Sequence, residues 1–448
     1  MASTEIGVRS GRGTRGGRQA RTGGASKAVV SVLFMTVFLD FLGFSIVLPY
    51  LYFQATSLGA DGLAYGLLVT SFSLMQLVFV SVFGRLSDRL GRRKILLVSL
   101  FGSGVSFVIF GLANTLWLLF AARIAGGIMD STFSVAQAYV ADITKGRDRL
   151  KQMGLMGAGI GLGFTVGPAL GGILSTLYGY AAPSFLAAAL AFANFVLAFV
   201  RLPESRPAAK SGRKAVGFQA FLRTVAAREQ LVYLLVATFT GNFAFVFMDV
   251  TMAPWLQAAY GFGPLQAGLI FLYVSIVNVA TQGAVLPRLS KRFSSASLLA
   301  MGLAVTTLSF LGFGLFGFLP VALAMGGLLM FGFGLVNPSL SHLISVNANE
   351  GDQGGTLGLS QSAGSLARVF APSLAVTVFT LGLGWGVIGT AFLVAAAINI
   401  IPLAIIISRR SGLQTAPEGS ADAPTGPADP SPGPGVATAI ATVEEALP

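Results

Sequence analysis

Twelve apolar runs, each about as long as a membrane is thick, constrain this chain more than any other feature. An α-helix needs about 20 mainly apolar residues to cross the roughly 30 Å hydrocarbon core of a bilayer. The chain is 54% hydrophobic and only 10% charged, whereas a soluble domain carries about 25% charged residues. The predicted spans are residues 28–50, 64–84, 95–113, 116–140, 152–177, 183–201, 231–256, 264–286, 297–317, 320–345, 356–381 and 384–408. The sequence therefore predicts an all-α, multi-pass membrane protein.

The distribution of basic residues predicts the orientation of these spans. Of the 29 Lys and Arg residues, all except Arg123 and Arg368 lie in the termini or in every second joint between spans. Because Lys and Arg are enriched in cytoplasmic loops, we expect both termini to be cytoplasmic and the protein to lie in the plasma (inner) membrane. The net charge of +12 then serves topology and contacts with anionic lipids, and we expect no nucleic-acid partner.

The longest joint divides the chain into two groups of six spans. The predicted organisation is a disordered basic arm (1–27), an N-terminal six-helix bundle (28–201), a cytoplasmic linker (202–230), a C-terminal six-helix bundle (231–410) and a disordered tail rich in Pro, Ala and Gly (411–448). Both terminal segments contain too few large apolar side chains to offset the entropy of ordering.

The two halves repeat each other. The stretch VFGRLSDRLGRRKILL from Val82 aligns with VLPRLSKRFSSASLL from Val285, and Pro168 aligns with Pro372. A repeated six-span unit is typical of transporters whose substrate site lies between the halves near the bilayer midplane. The second copy has Lys291 where the first has Asp88, so we do not expect the two halves to be mechanically equivalent.

The segment between spans 2 and 3 reads GRLSDRLGRRK, and we call residues 84–94 the basic segment. Its spacing, G-x-x-x-D-R-x-G-R-R, resembles the signature loop of major facilitator superfamily (MFS) transporters, although the rule for cytoplasmic charges alone would also place a basic loop here. The residues that carry the resemblance are Gly84, Asp88, Arg89, Gly91, Arg92 and Arg93. Over about residues 28–410, it implies the MFS fold of twelve helices in two pseudo-symmetric halves, and it implies a gating role in which Asp88 approaches the N-terminus of span 11.

Span 5 contains GIGLGFTVGPALGG, residues 159–172. Glycines four residues apart form a smooth stripe that lets another helix approach closely. The run also resembles the motif of MFS antiporters, carried here by Gly163, Gly167, Pro168, Gly171 and Gly172. Tight packing without a role in transport is the alternative.

Five Asp and Arg residues lie well inside predicted spans, away from the span ends: Asp40, Arg123, Asp130, Asp249 and Arg368. An ionisable residue at the centre of a spanning helix costs about 2.5–3.5 kcal/mol on insertion scales, so it normally faces a cavity or a partner. Arg123 and Asp130 are seven residues apart, which places them on one helix face about 10 Å apart. The sequence around Asp40, Gly43 and Pro49 resembles the first span of twelve-span drug:proton antiporters, including tetracycline exporters. That resemblance implies proton coupling or substrate binding for the ionisable residues.

Each of these residues also has a structural alternative. Asp40 would serve as a hydrogen-bonded anchor between helices, Arg123 would extend to the membrane surface, and Asp249 would be solvated in the outer third of its span. Arg368 needs an anion in any case. Six uncharged polar residues are candidates to line the cavity or to join helices: Gln76, Gln137, Asn242, Gln282, Asn337 and Gln361.

The residues available for chemistry argue against an enzyme. The chain has no Cys and one His, His342, so we expect no metal site and no cofactor, and no nucleophile–base set is recognisable. The resemblance implies proton-coupled efflux of a small amphipathic compound by alternating access, with the substrate, protons and membrane lipids as partners of a monomer. The alternatives are a symporter or uniporter of a nutrient or metabolite on the same fold, and a membrane receptor or scaffold that transports nothing.

Overall fold

The computed structural model describes residues 16–144, 146–205, 228–348 and 353–409. Twelve helices in these ranges are long and apolar enough to cross a membrane, as predicted. Spans 1–6 are Val29–Ser57, Gly62–Leu90, Arg92–Gly111, Leu116–Ile143, Lys151–Tyr178 and Ala181–Arg201. Spans 7–12 are Glu229–Tyr260, Pro264–Leu289, Ser295–Leu315, Leu319–Asn347, Gly355–Gly384 and Thr390–Arg409. The predicted tail and most of the predicted linker lie outside the described residues.

Several helices are longer than the apolar runs that predicted them. The helix that contains span 1 begins at Gly16, so it includes the second half of the predicted N-terminal arm. Extending a helix that has already formed costs far less than starting one. In the basic segment, which was expected to be a loop, span 2 continues to Leu90 and span 3 begins at Arg92. Only Gly91 lies between the two helices, with a φ of 102° that glycine tolerates.

Contacts between helix ends define two ends of the bundle. At the end that we call the basic end, Arg92 of span 3 pairs with Asp142 of span 4, and Arg409 of span 12 pairs with Glu229 of span 7. The opposite end, called here the distal end, contains the joints between spans 1 and 2, 3 and 4, 5 and 6, 7 and 8, 9 and 10, and 11 and 12. The printed sequence has no Lys or Arg in these distal joints.

Span 5 packs directly on span 1 through the predicted glycine stripe. A Cβ atom built on Gly163 would lie 2.8 Å from the backbone nitrogen of Leu42, and one on Gly167 would lie 2.9 Å from the carbonyl oxygen of Leu42. Gly171 meets the carbonyl group of Ile46 in the same way. Any larger side chain would push the two helices apart, so these three glycines pack the N-terminal half.

The two halves meet closely at the distal end. On one side of the bundle, a Cβ atom on Gly66 of span 2 would lie 2.9 Å from the Cα atom of Ser373 in span 11. On the other side, a Cβ atom on Gly172 of span 5 would lie 2.6 Å from the carbonyl oxygen of Pro264 in span 8. Hydrogen bonds accompany these contacts: the Thr70 and Ser373 hydroxyl groups are 2.9 Å apart. The distal end of the bundle is therefore closed.

The same helices separate towards the basic end. Along span 5, the contact with span 8 loosens to 3.9 Å between a Cβ atom on Gly161 and Val279, and a Cβ atom on Gly157 would meet no heavy atom within 4 Å. Gly84 of span 2, Gly283 of span 8 and Gly358 of span 11 also face open space on this criterion. Within the part of the chain that the structure describes, the bundle is therefore closed at the distal end and open at the basic end.

Span 4 is two helices, Leu116–Met129 and Thr132–Ile143, whereas one continuous helix was predicted. Asp130 has a ψ of 67°, and the amide of Ser131 donates to the carbonyl oxygen of Met129 at 2.8 Å. Two neighbouring spans hold the break, since Gln76 of span 2 donates to Asp130 at 2.6 Å and Ser99 of span 3 bonds Ser131 at 2.6 Å. Asp and Ser side chains can replace helical hydrogen bonds of the backbone. Here Gln76 and Ser99 hold the side chains of Asp130 and Ser131, and this stabilises the non-helical backbone at the break.

Adding one methyl group at Gly172 should destabilise the closed distal end. Gly172→Ala places Cβ against backbone of span 8, and overpacking of this kind costs about 1–3 kcal/mol. We expect the distance between spin labels on Leu63→Cys and Leu381→Cys, at the distal ends of spans 2 and 11, to lengthen. Pulsed electron–electron double resonance measures this distance. The natural chain contains no Cys, so labelling is specific.

Gly157→Ala is the matched control, because it adds the same methyl group to the same helix where a Cβ meets open space. It should leave the distance distribution unchanged. Equal distributions in the two variants would show that close contact at Gly172 does not hold the distal end closed.

Candidate functional site

Asp40, Arg123 and Asp130 line one cavity inside the N-terminal half. Phe44, Phe72, Ser103 and Ser106 contribute to the same wall. The cavity has about 40 Å³ of space for the centres of water molecules, and one water needs roughly 10–15 Å³ on this measure. The cavity thus has room for a few water molecules among three ionisable groups, but it is too small for a drug-sized compound.

Arg123 lies within the protein and does not extend to the membrane surface. Its side chain is 7% exposed, and its guanidinium lies 4.2 Å from the centroid of the Phe72 ring. Such a cation–π contact is worth about 2 kcal/mol or more when it is desolvated. The Nε atom of Arg123 is buried without a hydrogen-bond partner among the described residues. The guanidinium therefore retains an unsatisfied donor in the cavity.

The two acids of the cavity approach each other from different helices. Asp40 comes from the middle of span 1 and Asp130 from the break in span 4, and their charges interact. Thr132, the first residue of the second half-helix, lies near Asp40, although its buried hydroxyl oxygen forms no hydrogen bond with the described residues. The first amides of a helix lack internal partners and carry a partial positive charge. The break in span 4 therefore places the positive end of a half-helix beside two carboxyl groups.

The charges of this cavity have no counterpart in the C-terminal half. When span 1 is aligned on span 7 through Pro49 and Pro254, Phe245 takes the place of Asp40. At the offset of Pro168 and Pro372, Gly327 takes the place of Arg123 and Gly334 that of Asp130. Phe245 stacks on Phe333 with ring centroids 4.0 Å apart, and the cavity beside them has only about 10 Å³ for water centres. The repeat has kept the fold, but it has not kept these three ionisable groups in the second half.

Asp249 lies apart from this cavity. It is half-buried in span 7, next to Val250, whose carbonyl oxygen accepts a hydrogen bond of 3.4 Å from Tyr65 of span 2. Among the described residues, Asp249 forms no ion pair within 4.0 Å. It therefore belongs to the contact between the halves near the distal end.

Arg368 lies in span 11 on the opposite side of the gap between the halves. Its Nη2 donates to the Ser365 hydroxyl at 2.9 Å, and its charge interacts with that of Asp130. The break in span 4 therefore faces a cation of the other half, and Gln76 holds the Asp130 carboxylate there.

The six uncharged candidates have different surroundings. Gln76 contacts Asp130, whereas Asn242 donates to the Thr238 carbonyl oxygen at 2.8 Å and packs against Gly364. Gln137 is half-buried, and the exposed members of the set are Gln282, Asn337 and Gln361. Only Gln76 directly joins the ionisable cluster through a hydrogen bond that the structure describes.

The basic segment is held by charges at the basic end. Arg92 pairs with Asp88 at 2.5 Å and with Asp142 at 3.2 Å. The side chain of Asp88 is 51% exposed, and Arg89 is exposed. Contact of Asp88 with the N-terminus of span 11 remains a prediction for a conformation closed at the basic end.

Glu204 is a residue of this region that the sequence reasoning missed. Its carboxylate accepts a hydrogen bond of 3.3 Å from the amide of Arg93, in the first turn of span 3, where amides need an external acceptor. A Cβ atom on Gly91 would lie 2.5 Å from the same carboxylate. Arg93 also donates to the Phe199 carbonyl oxygen at 2.6 Å. An acid just after span 6 was the only sequence signal, and it does not reveal which helix it caps.

Removing the Glu204 carboxylate should loosen the start of span 3. Loss of a capping side chain costs about 0.5–2 kcal/mol, so Glu204→Ala should speed amide exchange of residues 92–95 several-fold in hydrogen–deuterium exchange. Glu229→Ala removes an exposed acid at the same end of the bundle and is the control. Unchanged exchange at residues 92–95 in Glu204→Ala would contradict a capping role.

Comparisons with known proteins agree with the fold. The sequence profile of the Major Facilitator Superfamily matches residues 33–372. The class C tetracycline resistance protein of Escherichia coli is 30% identical over 394 residues, covering 84% of this chain and 96% of that protein. Multidrug resistance protein 2 of Bacillus subtilis (strain 168) is 28% identical over 389 residues, covering 85% and 94%.

Solved structures show the same architecture. The human organic anion transporter MFSD10 (TETRAN) has a TM-score of 0.65 at 25% identity, covering 85% of this chain and 99% of that one. A bacterial homologue of the human lysosomal transporter Spinster, in an inward-facing and unoccupied conformation, has a TM-score of 0.73 at 13% identity, covering 86% and 97%. The matched profile, the relatives and the twelve-helix fold agree: the chain belongs to the Major Facilitator Superfamily.

Proposed function

We propose that this protein exports a small amphipathic compound in exchange for protons, by alternating access. The observation that carries the proposal is the clustering of Asp40, Asp130 and Arg123 around one small cavity in the N-terminal half. A cavity with room for a few waters suits protons better than a drug. The substrate then binds between the halves, where the charges of Asp130 and Arg368 interact.

The two acids act as the proton carriers in this proposal. Withdrawal from water favours the neutral form of a carboxylic acid. A carboxylic acid inside an apolar bundle therefore releases its proton when water or a cation reaches it and stabilises the carboxylate. Binding of a substrate's cationic group beside Asp40 and Asp130 favours proton loss, and protonation releases the substrate. Competition between the two ligands is the condition for exchange.

The conformation described above supplies one of the two states that exchange needs. The bundle opens at the basic end, which we propose to be cytoplasmic because basic joints favour that side, and it closes at the distal end through the glycine contacts. Rocking of the halves that separates these contacts would open the distal side. Both termini would then be cytoplasmic, and the membrane would be the plasma (inner) membrane.

The relatives support the direction of transport. Two of the proteins that match over most of the chain are a tetracycline resistance protein and a multidrug resistance protein, and resistance of this kind is consistent with export. Span 5 also contains the run that resembles the antiporter motif, and its Gly172 and Pro168 lie against span 8 at the contact between the halves. One proton that crosses a potential of 100 mV supplies about 2.3 kcal/mol, which is enough for a useful concentration gradient.

Asp40→Asn should abolish gradient-driven transport without unfolding the protein. Asparagine keeps the shape of the side chain but cannot carry the proton. In inside-out vesicles with an imposed pH gradient, uptake of fluorescent dyes and tetracycline should fall to the level of vesicles that lack the protein. Asp130→Asn should act in the same direction.

Asp61→Asn is the control for this experiment, because Asp61 caps span 2 outside the cavity and Asn caps equally well. Gradient-driven uptake that persists in Asp40→Asn would exclude Asp40 as an essential carrier. Uptake by the natural protein that does not respond to the gradient would favour a uniporter over the proposed antiporter.

A further inference from the structure

Arg368 is the ionisable group in the gap whose presence proton exchange does not explain. It lies in the middle of span 11, four residues before Pro372, and at the offset of the repeat it takes the place of Phe164 in span 5. A charged side chain at this depth is expensive and normally has a functional partner. Proton exchange needs acids, and a guanidinium is always protonated.

The protein leaves most of this guanidinium unused. Of the five donors of an arginine, one bonds the Ser365 hydroxyl, and in the described part of the chain no carboxylate lies within 4.0 Å of it. None of its nitrogen atoms is both fully buried and without a partner, so the donors of this half-buried group that lack a protein partner keep some exposed surface. A planar fork of free donors is the geometry that binds carboxylate or phosphate.

The surface that faces Arg368 has the opposite charge. Asp40 and Asp130 bring two negative charges to the N-terminal half and Arg123 brings one positive charge, which leaves one negative charge when both acids are ionised. Arg368 brings one positive charge from the other half, and this charge attracts the carboxylate of Asp130 across the gap. A ligand that complements both walls carries a cationic group and an anionic group.

Aromatic side chains continue the wall that carries the acids. Phe44 lines the wall with Asp40, and its ring centroid is 6.0 Å from that of Phe164 and 5.4 Å from that of Phe72. Phe164 belongs to span 5, where its carbonyl oxygen accepts a bond from Ser275 of span 8 at 3.3 Å. The aromatic wall thus extends from the acids to the seam between the halves.

We propose that Arg368 binds an anionic group of the substrate, and that the substrate is an aromatic zwitterion whose cationic group lies at Asp40 and Asp130. This inference rests on the proposed function, because it assigns the substrate class of the same site. The cationic group competes with protons, so exchange is retained. The anionic group occupies the free donors of Arg368 and brings the two halves into contact with one ligand.

The test uses a matched pair of dyes, a rhodamine with a free carboxylate and the methyl ester of the same rhodamine. The first is a zwitterion and the second is a cation with the same aromatic frame. Binding to the purified full chain is measured by fluorescence anisotropy. The natural protein should bind the carboxylate more tightly, and Arg368→Gln should weaken its binding by about tenfold or more, as expected for loss of a charged hydrogen bond, while binding of the ester stays unchanged.

Three further variants complete the design. Arg368→Lys should retain part of the preference for the carboxylate dye. Ser365→Ala removes the hydroxyl that positions the guanidinium, so it should weaken binding of the carboxylate dye selectively and to a smaller extent than Arg368→Gln does. Ser365→Ala also keeps the test decisive if Arg368→Gln does not fold. Lys151→Gln removes an exposed positive charge and should change the binding of neither dye.

The proposal is overturned if the natural protein binds the ester as tightly as the carboxylate, if it binds neither dye, or if Arg368→Gln weakens both dyes equally. The binding measurement needs no pH gradient, so it stands apart from the vesicle experiment. Loss of proton coupling with the dye preference intact would reject antiport and keep the anion site. Retained proton coupling without a preference for the carboxylate dye would keep antiport and reject the anion site.

Discussion

A hydrocarbon core offers no hydrogen-bond partner to a backbone amide, and most of this structure follows from that constraint. Each crossing of the membrane must be a helix that satisfies its own backbone, which accounts for the twelve spanning helices among the described residues. The break in span 4 is the informative exception. There the Asp130 and Ser131 side chains bind Gln76 and Ser99 of neighbouring spans, so the interruption is built into the fold. Its result is a carboxyl group, and the positive end of a half-helix, inside the bundle.

Close approach through glycine then determines how the halves are arranged. Span 5 lies between span 1 of its own half and span 8 of the other, and it has glycines on both faces. Gly163, Gly167 and Gly171 fix it to span 1, whereas Gly172 contacts span 8 only where the bundle is closed. In the proposed transport cycle, one helix therefore combines a contact that persists with a contact that separates. Because glycine has no side chain to interdigitate, two rigid halves can separate at such contacts without repacking of their cores.

The division of charge between the halves gives the proposed transport cycle its asymmetry. The repeated halves share their helices, but Asp40, Arg123 and Asp130 have apolar or glycine counterparts in the second half, and Arg368 replaces an aromatic residue of the first. Protons and a cationic group would be handled on one wall and an anionic group on the other. A substrate that contacts both walls has an affinity that depends on the distance between the halves. A ligand shifts the balance between two conformations only if its affinity for them differs, so alternating access requires this dependence.

The sequence by itself determined the number of spans, their all-helical class and the family, because apolar length, glycine spacing and the basic segment are local properties of the chain. It also singled out Asp40, Arg123 and Asp130 as ionisable residues at membrane depth. It did not reveal the break at Asp130, the burial of Arg123 against Phe72, the cap that Glu204 provides for span 3, or the absence of a carboxylate near Arg368 among the described residues. Each of these depends on side chains from helices far apart in the chain, and hydrophobic periodicity does not specify which helices become neighbours. Only the tertiary structure decided which charges are paired and which remain free to bind a ligand.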